Sequence, residues 1–211
     1  MLSRLAAAFV SVGLLFTPAV ASSSANAPQD PPVAAFAMPM PVRLVTPSKA
    51  EVIKALKDRR AKNLKSFVAY RKGGVYPHNT WRRGPLNVWR DADGHLCAAA
   101  TMMDKDGKRE LVDELGRTNN FVRLMDVVEG PALDWILTSG FTIEEIDRIQ
   151  APMIEPDMPF VDYAAEDAKL AAGYRATEKA LVKNQKRSLE LAAKRLMENP
   201  DLARRLVDGS V

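Results

Sequence analysis

The sequence predicts a mostly helical α+β fold, with a small antiparallel hairpin packed among helices and a long helix near the C-terminal end. Three observations carry that expectation. Two capping boxes, Ser48-x-x-Glu51 and Thr142-x-x-Glu145, open stretches whose apolar residues recur at helical spacing. The turn Asp91-Ala92-Asp93-Gly94 separates two short apolar runs, Leu86 to Trp89 and Leu96 to Met102, as in a tight hairpin. A thin stripe of Tyr163, Leu170, Tyr174, Leu181, Leu189, Ala192 and Leu196 runs through residues 162–198 at three- to four-residue spacing.

Residues 1–21 read as an export signal. Arg4 supplies a basic start, LAAAFVSVGLLF an apolar run, and Ala19-Val20-Ala21 small residues for cleavage. As a helix that run spans only about 18 Å, well short of a hydrocarbon core of about 30 Å. Cleavage after Ala27 is the alternative. No later stretch is long and apolar enough to cross a bilayer, so the expectation is a periplasmic or secreted protein. Residues 22–45, rich in Ser, Ala and Pro, read as a disordered linker.

The core domain is expected over 46–150. Its first helix begins at Ser48, carries Val52, Leu56, Leu64, Phe67 and Val68, and ends at Gly73-Gly74. The stretch GGVYPHNTWRRGP then reads as an irregular, aromatic-rich loop, the kind of segment on which binding residues sit. The hairpin follows, with Cys97 in a small-residue strand under a helix. Lys108 to Gly116 is a helix, and Phe121 to Val128 a short strand or helix. A helix–turn–helix pair fills 131–150, opened by Pro131 and reopened by Thr142. Residues 151–161 form a proline-rich connector. The helix over 162–198 either lies on the core or pairs with a partner helix in a coiled coil, including a second copy of the chain. Pro200 breaks it before a short terminal helix.

Charge is distributed unevenly. Residues 42–72 hold ten Lys/Arg and two Asp/Glu, whereas residues 100–162 hold six and fourteen. A solvated helix face is the plain explanation. Contact between the basic helix and the acidic middle, or between the helix and an anionic envelope surface, are the others. Nucleic acid is not an expected partner of an exported chain, and the 131–150 helix pair is acidic, which repels phosphate.

The pattern W-x-D-x-x-G-x-x-C-A from Trp89 to Ala98, with Glu-Leu-Val at 110–112, Asn119-Asn120, Trp135 and G-F-T-x-E-E-I from Gly140 to Ile146, resembles a group of exported bacterial proteins to which no activity is attached. The resemblance implies that 46–150 is one unit and carries no functional residue over.

Several constellations bear on function. Tyr76, His78, Asn79 and Trp81 are the candidate binding residues of the irregular loop. His78, His95 and Cys97 could together hold zinc or copper, since imidazole and thiolate suit both. Met102, Met103 and the Met38-Pro39-Met40 segment add thioethers suited to Cu(I). Against this set, no fourth ligand is evident, and otherwise no cofactor is expected. Neither Asp-x-Asp-Gly continues as an EF-hand loop, because position twelve is Met102 or Leu115 where a glutamate is needed. A Cys97 nucleophile with a His78 or His95 base would need a thiol activated by a cation or helix N-terminus, whereas Cys97 stands in Leu-Cys-Ala-Ala-Ala. No G-x-S-x-G, H-E-x-x-H or P-loop occurs. The expectation is therefore a non-catalytic exported protein that binds an unknown partner or envelope component. A metal-binding protein and a cysteine-dependent enzyme are its alternatives.

Overall fold

The computed structural model describes residues 45–81, 86–151 and 162–211. The expected signal and most of the expected linker (residues 1–44), with Met38 and Met40, and nearly all of the expected connector lie outside the described residues. Among the described residues eight α-helices are formed: α1 Lys49–Gly73, α2 Ala98–Lys105, α3 Arg109–Thr118, α4 Gly130–Thr138, α5 Ile143–Gln150, α6 Tyr163–Lys183, α7 Gln185–Leu196 and α8 Pro200–Val207, with a 3-10 turn at Leu124–Asp126. None is long and apolar enough to cross a membrane.

The fold is all-α, which corrects the expected α+β class. Among the described residues the hairpin reduces to one antiparallel bridge, Arg90 with Leu96. The tight turn itself forms: Asp91 N–H donates to the His95 carbonyl at 3.0 Å, and Gly94 sits at φ +88°. Two causes stop a ladder growing from it. Asn120 occupies the outer edge, its carbonyl accepting from Trp89 N–H at 2.8 Å and its side chain bonding both N–H and C=O of Arg90. The second run, Leu96 to Met102, turns helical instead of extending. Cys97 is the N-cap of α2, with its sulfur accepting from Ala100 N–H at 3.5 Å. Ala98-Ala99-Ala100 has the highest helix propensity and no β-branched residue. All three alanines are buried, which lets α2 pack closely on α1.

Both capping boxes form, at Ser48/Glu51 and Thr142/Glu145. The helix expected over 162–198 is interrupted at Asn184, which separates α6 from α7. Asn184 N–H still bonds the Ala180 carbonyl, and Ser188 N–H bonds the Asn184 carbonyl, so the chain does not unravel there.

Two apolar clusters stack along α1. Its N-terminal half, Val52 and Leu56, packs with Leu189, Ala193 and Leu196 of α7 and Leu202 and Leu206 of α8. Its C-terminal half, Phe67, packs with Tyr76, Trp89, α2, Trp135, Ile146 and the Leu170–Leu181 face of α6. A polar layer lies between them. Arg60 is buried and bidentate to Glu145, at 2.7 and 2.8 Å, and also donates to the Gly140 and Leu181 carbonyls. Ser188 donates to the same Glu145, at 2.8 Å, and the Arg60 guanidinium lies 4.5 Å from the Phe141 ring centre. One side-chain pair thus ties together α1, the α4–α5 turn, α6 and α7. Gly140 is required there. Its φ is +84°, and an added Cβ would lie 2.3 Å from the Leu56 carbonyl oxygen.

Candidate functional site

The loop after α1 and the turn at 91–95 are joined through one carboxylate. Asp91 is buried and accepts four N–H groups: Asp93 N at 3.0 Å and His95 N at 2.8 Å on Oδ1, His78 N at 3.3 Å and His95 Nδ1 at 2.9 Å on Oδ2. A carboxylate offers about four lone-pair directions, so Asp91 is saturated. Burial raises the Asp91 pKa, but the His95 backbone and ring bonds and the His78 N–H outweigh it and hold the carboxyl below its ordinary value. Because the carboxylate only accepts, His95 carries its proton on Nδ1.

The four loop residues have different situations. Tyr76 is buried and its hydroxyl donates to the Arg71 carbonyl at 2.9 Å. Its ring packs against Tyr70 and Tyr174, so it belongs to the core. His78 is half-buried, with Nε2 3.1 Å from Asp167 and its ring 4.2 Å from the ring centre of Tyr163, which fastens the loop to the N-terminal end of α6. Asn79 accepts from Trp81 N–H at 3.1 Å. Trp81 is the outlier: an indole 46% exposed, edge-on to Phe121, which is 38% exposed, at 5.6 Å.

The Trp81–Phe121 pair is built twice by the same device. Asn79 Oδ1 accepts from Trp81 N–H, and Asn119 Oδ1 accepts from Phe121 N–H at 3.0 Å. Each is an asparagine bonding the backbone two residues on, a turn that fixes where the following side chain goes. Phe121 did not stand out in the sequence. The signal that could have found it is the shared spacing, Asn79-Thr80-Trp81 and Asn119-Asn120-Phe121.

The proposed ligands His78, His95 and Cys97 are each engaged separately. His78 Nε2 meets Asp167 and His95 Nδ1 meets Asp91, while the Cys97 thiol caps α2 inside the core. Burial pushes that thiol up to about 12. Met102 and Met103 are fully buried. Among the described residues a different set converges: ligating atoms of Asp91, Asp93 and His95 lie within 4.8 Å of one another, with Asp93 exposed.

Two hollows among the described residues also bear on binding. One of about 710 Å³ lies between α3, α4 and α8, and its two arginines are already paired, Arg109 with Asp104 and Arg205 with Asp134. The other, about 250 Å³, lies between the α4–α5 turn and α7. No known protein family, curated protein or solved structure matches the chain.

Proposed function

We propose that this chain is an exported, non-catalytic protein of the cell envelope or the surrounding medium, and that it works by binding through the Trp81–Phe121 pair. The observation that supports this reading is the paired asparagine turns, which hold two large aromatic side chains together and in water. Exposed aromatics of this kind supply most of the contact energy at protein surfaces that bind. The groups with reactive chemistry are otherwise committed. Asp91, Arg60 and Glu145 hold turns and helices, and Cys97 is a buried, neutral thiol. The partner is an envelope component. The test is sedimentation of purified protein with an isolated bacterial envelope fraction. Wild type should co-sediment, and Trp81→Ala/Phe121→Ala should lose at least about tenfold in affinity with an unchanged melting temperature. Failure of wild type to bind, or full retention by the double variant, would remove the reading.

A second reading, binding of zinc or copper, is favoured by the convergence of Asp91, Asp93 and His95. Saturation of Asp91 by four N–H donors weighs against it, since a metal would have to displace the His95 proton. Equilibrium dialysis against zinc decides between them. One equivalent bound and lost in both His95→Ala and Asp93→Asn would favour the metal; no stoichiometric uptake is the expected result.

A further inference from the structure

We infer that the outer face of α6 and the start of α7 is a docking surface for an anionic phospholipid bilayer, separate from the aromatic surface. Residues 175–187 hold five Lys/Arg against one Asp/Glu, in a chain whose totals are nearly balanced, 30 against 26. Four of the five, Arg175, Lys179, Lys183 and Arg187, recur at every fourth residue, and all four are exposed. Helical bonding continues across Asn184, where the N–H groups of Asn184 and Ser188 bond carbonyls four residues back. Arg187 therefore stands one turn beyond Lys183, and the four form a single ridge. The one anion in the segment, Glu178, is held by Arg71 of α1 at 2.8 Å.

The sign of this ridge is what sets it apart. Side chains four apart on a helix are neighbours, and like charges there destabilise it, so the ridge works against the helices that carry it. The arginines of α1 show the opposite use, since Arg59, Arg60 and Arg71 are each paired with a carboxylate of the fold. A run of one sign attracts an extended surface of the other. The residues among the cations say which kind. Ala172, Ala176 and Val182 share the face by their three- and four-residue spacing, all are exposed, and the valine is 57% so. Helices that lie in a bilayer interface combine apolar side chains that enter the headgroup region with lysines and arginines that meet lipid phosphates. The alanines let the helix lie close to such a surface, and a soluble polyanion would leave Val182 without a partner.

Co-sedimentation of the full chain with vesicles tests this. Vesicles of phosphatidylglycerol and phosphatidylethanolamine should bind it in low salt and release it in high salt, and phosphatidylcholine vesicles should lack that salt-sensitive component. The difference between the two vesicle types excludes any contribution from the apolar run at residues 5–16, which carries no charge. Lys179→Glu/Lys183→Glu should lose at least about tenfold of the anionic binding, and Lys179→Gln/Lys183→Gln an intermediate amount, both with the helical circular dichroism signal kept. Lys105→Glu/Arg117→Glu, at exposed positions of α2 and α3, changes the net charge equally and should bind as wild type does. No preference for anionic vesicles, equal losses in the two glutamate variants, or salt-sensitive capture by heparin but not by vesicles would each overturn the inference. Trp81→Ala/Phe121→Ala should bind these vesicles fully, so the two surfaces can fail separately.

Discussion

Asp91 shows how a residue that looks like a ligand serves as a fastener. Four N–H groups from residues 78, 93 and 95 converge on its carboxylate, and removing it strands several of them in a partly buried turn. Asp91→Ala should cost about 2–3 kcal/mol in urea unfolding, against no more than about 0.5 for exposed Asp93→Ala. The acid response follows from the depressed pKa of Asp91. The stabilisation is complete above the ordinary carboxylate value of about 4, and is lost as the pH falls through the lower folded value. The wild type should therefore lose stability on acidification more steeply than Asp91→Ala. Cys97 makes the parallel case for chemistry. Burial holds its thiol protonated, so a thiol reagent should label it only after denaturation. Labelling of the native protein would return a nucleophile to consideration. The acidic turn was legible from Asp-Gly alone. That Cys97 caps a helix was not, because a three-alanine run after one turn fits a packed strand or a packed helix equally well by size.

Among the elements, the α4–α5 turn accounts for every fixed position of the G-F-T-x-E-E-I pattern except Glu144. Gly140 permits contact with the α1 backbone, Phe141 lies under Arg60, Thr142 caps α5, Glu145 meets Arg60 and Ser188, and Ile146 enters the core. The pattern around Trp89 resolves in the same way, into a buried indole bonded to the Val112 carbonyl, the Asp91 hub, a left-handed Gly94 and the α2 cap. These motifs specify a fold. Arg60→Met should cost about 3–5 kcal/mol because it leaves Glu145 buried without its cation. The double variant Arg60→Met/Glu145→Met should cost clearly less than the sum of its two singles, as thermal unfolding of the four-protein cycle would show. Strictly additive losses would mean that the pair is not coupled. The capping boxes and Gly73-Gly74 were readable because they are local. The division at Asn184 was not, because the thin apolar stripe continues across it.

For the whole molecule, the charge asymmetry in the sequence is partly a folding device. Arg59 and Lys62 both reach Asp106, whose carboxylate also accepts from Trp135 Nε1 at 3.0 Å, and Arg60 reaches Glu145. The basic helix and the acidic middle therefore meet inside one unit, which was an alternative to the solvated helix face that the charge pattern made the plain explanation. Residue pairing across that boundary depended on tertiary contacts no periodicity reveals. Beside those internal ion pairs, Trp81 and Phe121 form an exposed aromatic contact. Hydrogen–deuterium exchange with and without a saturating envelope fraction locates the working surface most directly. Binding should add protection at residues 79–81 and 119–121 and leave 91–97 unchanged; new protection confined to 91–97 would contradict the account.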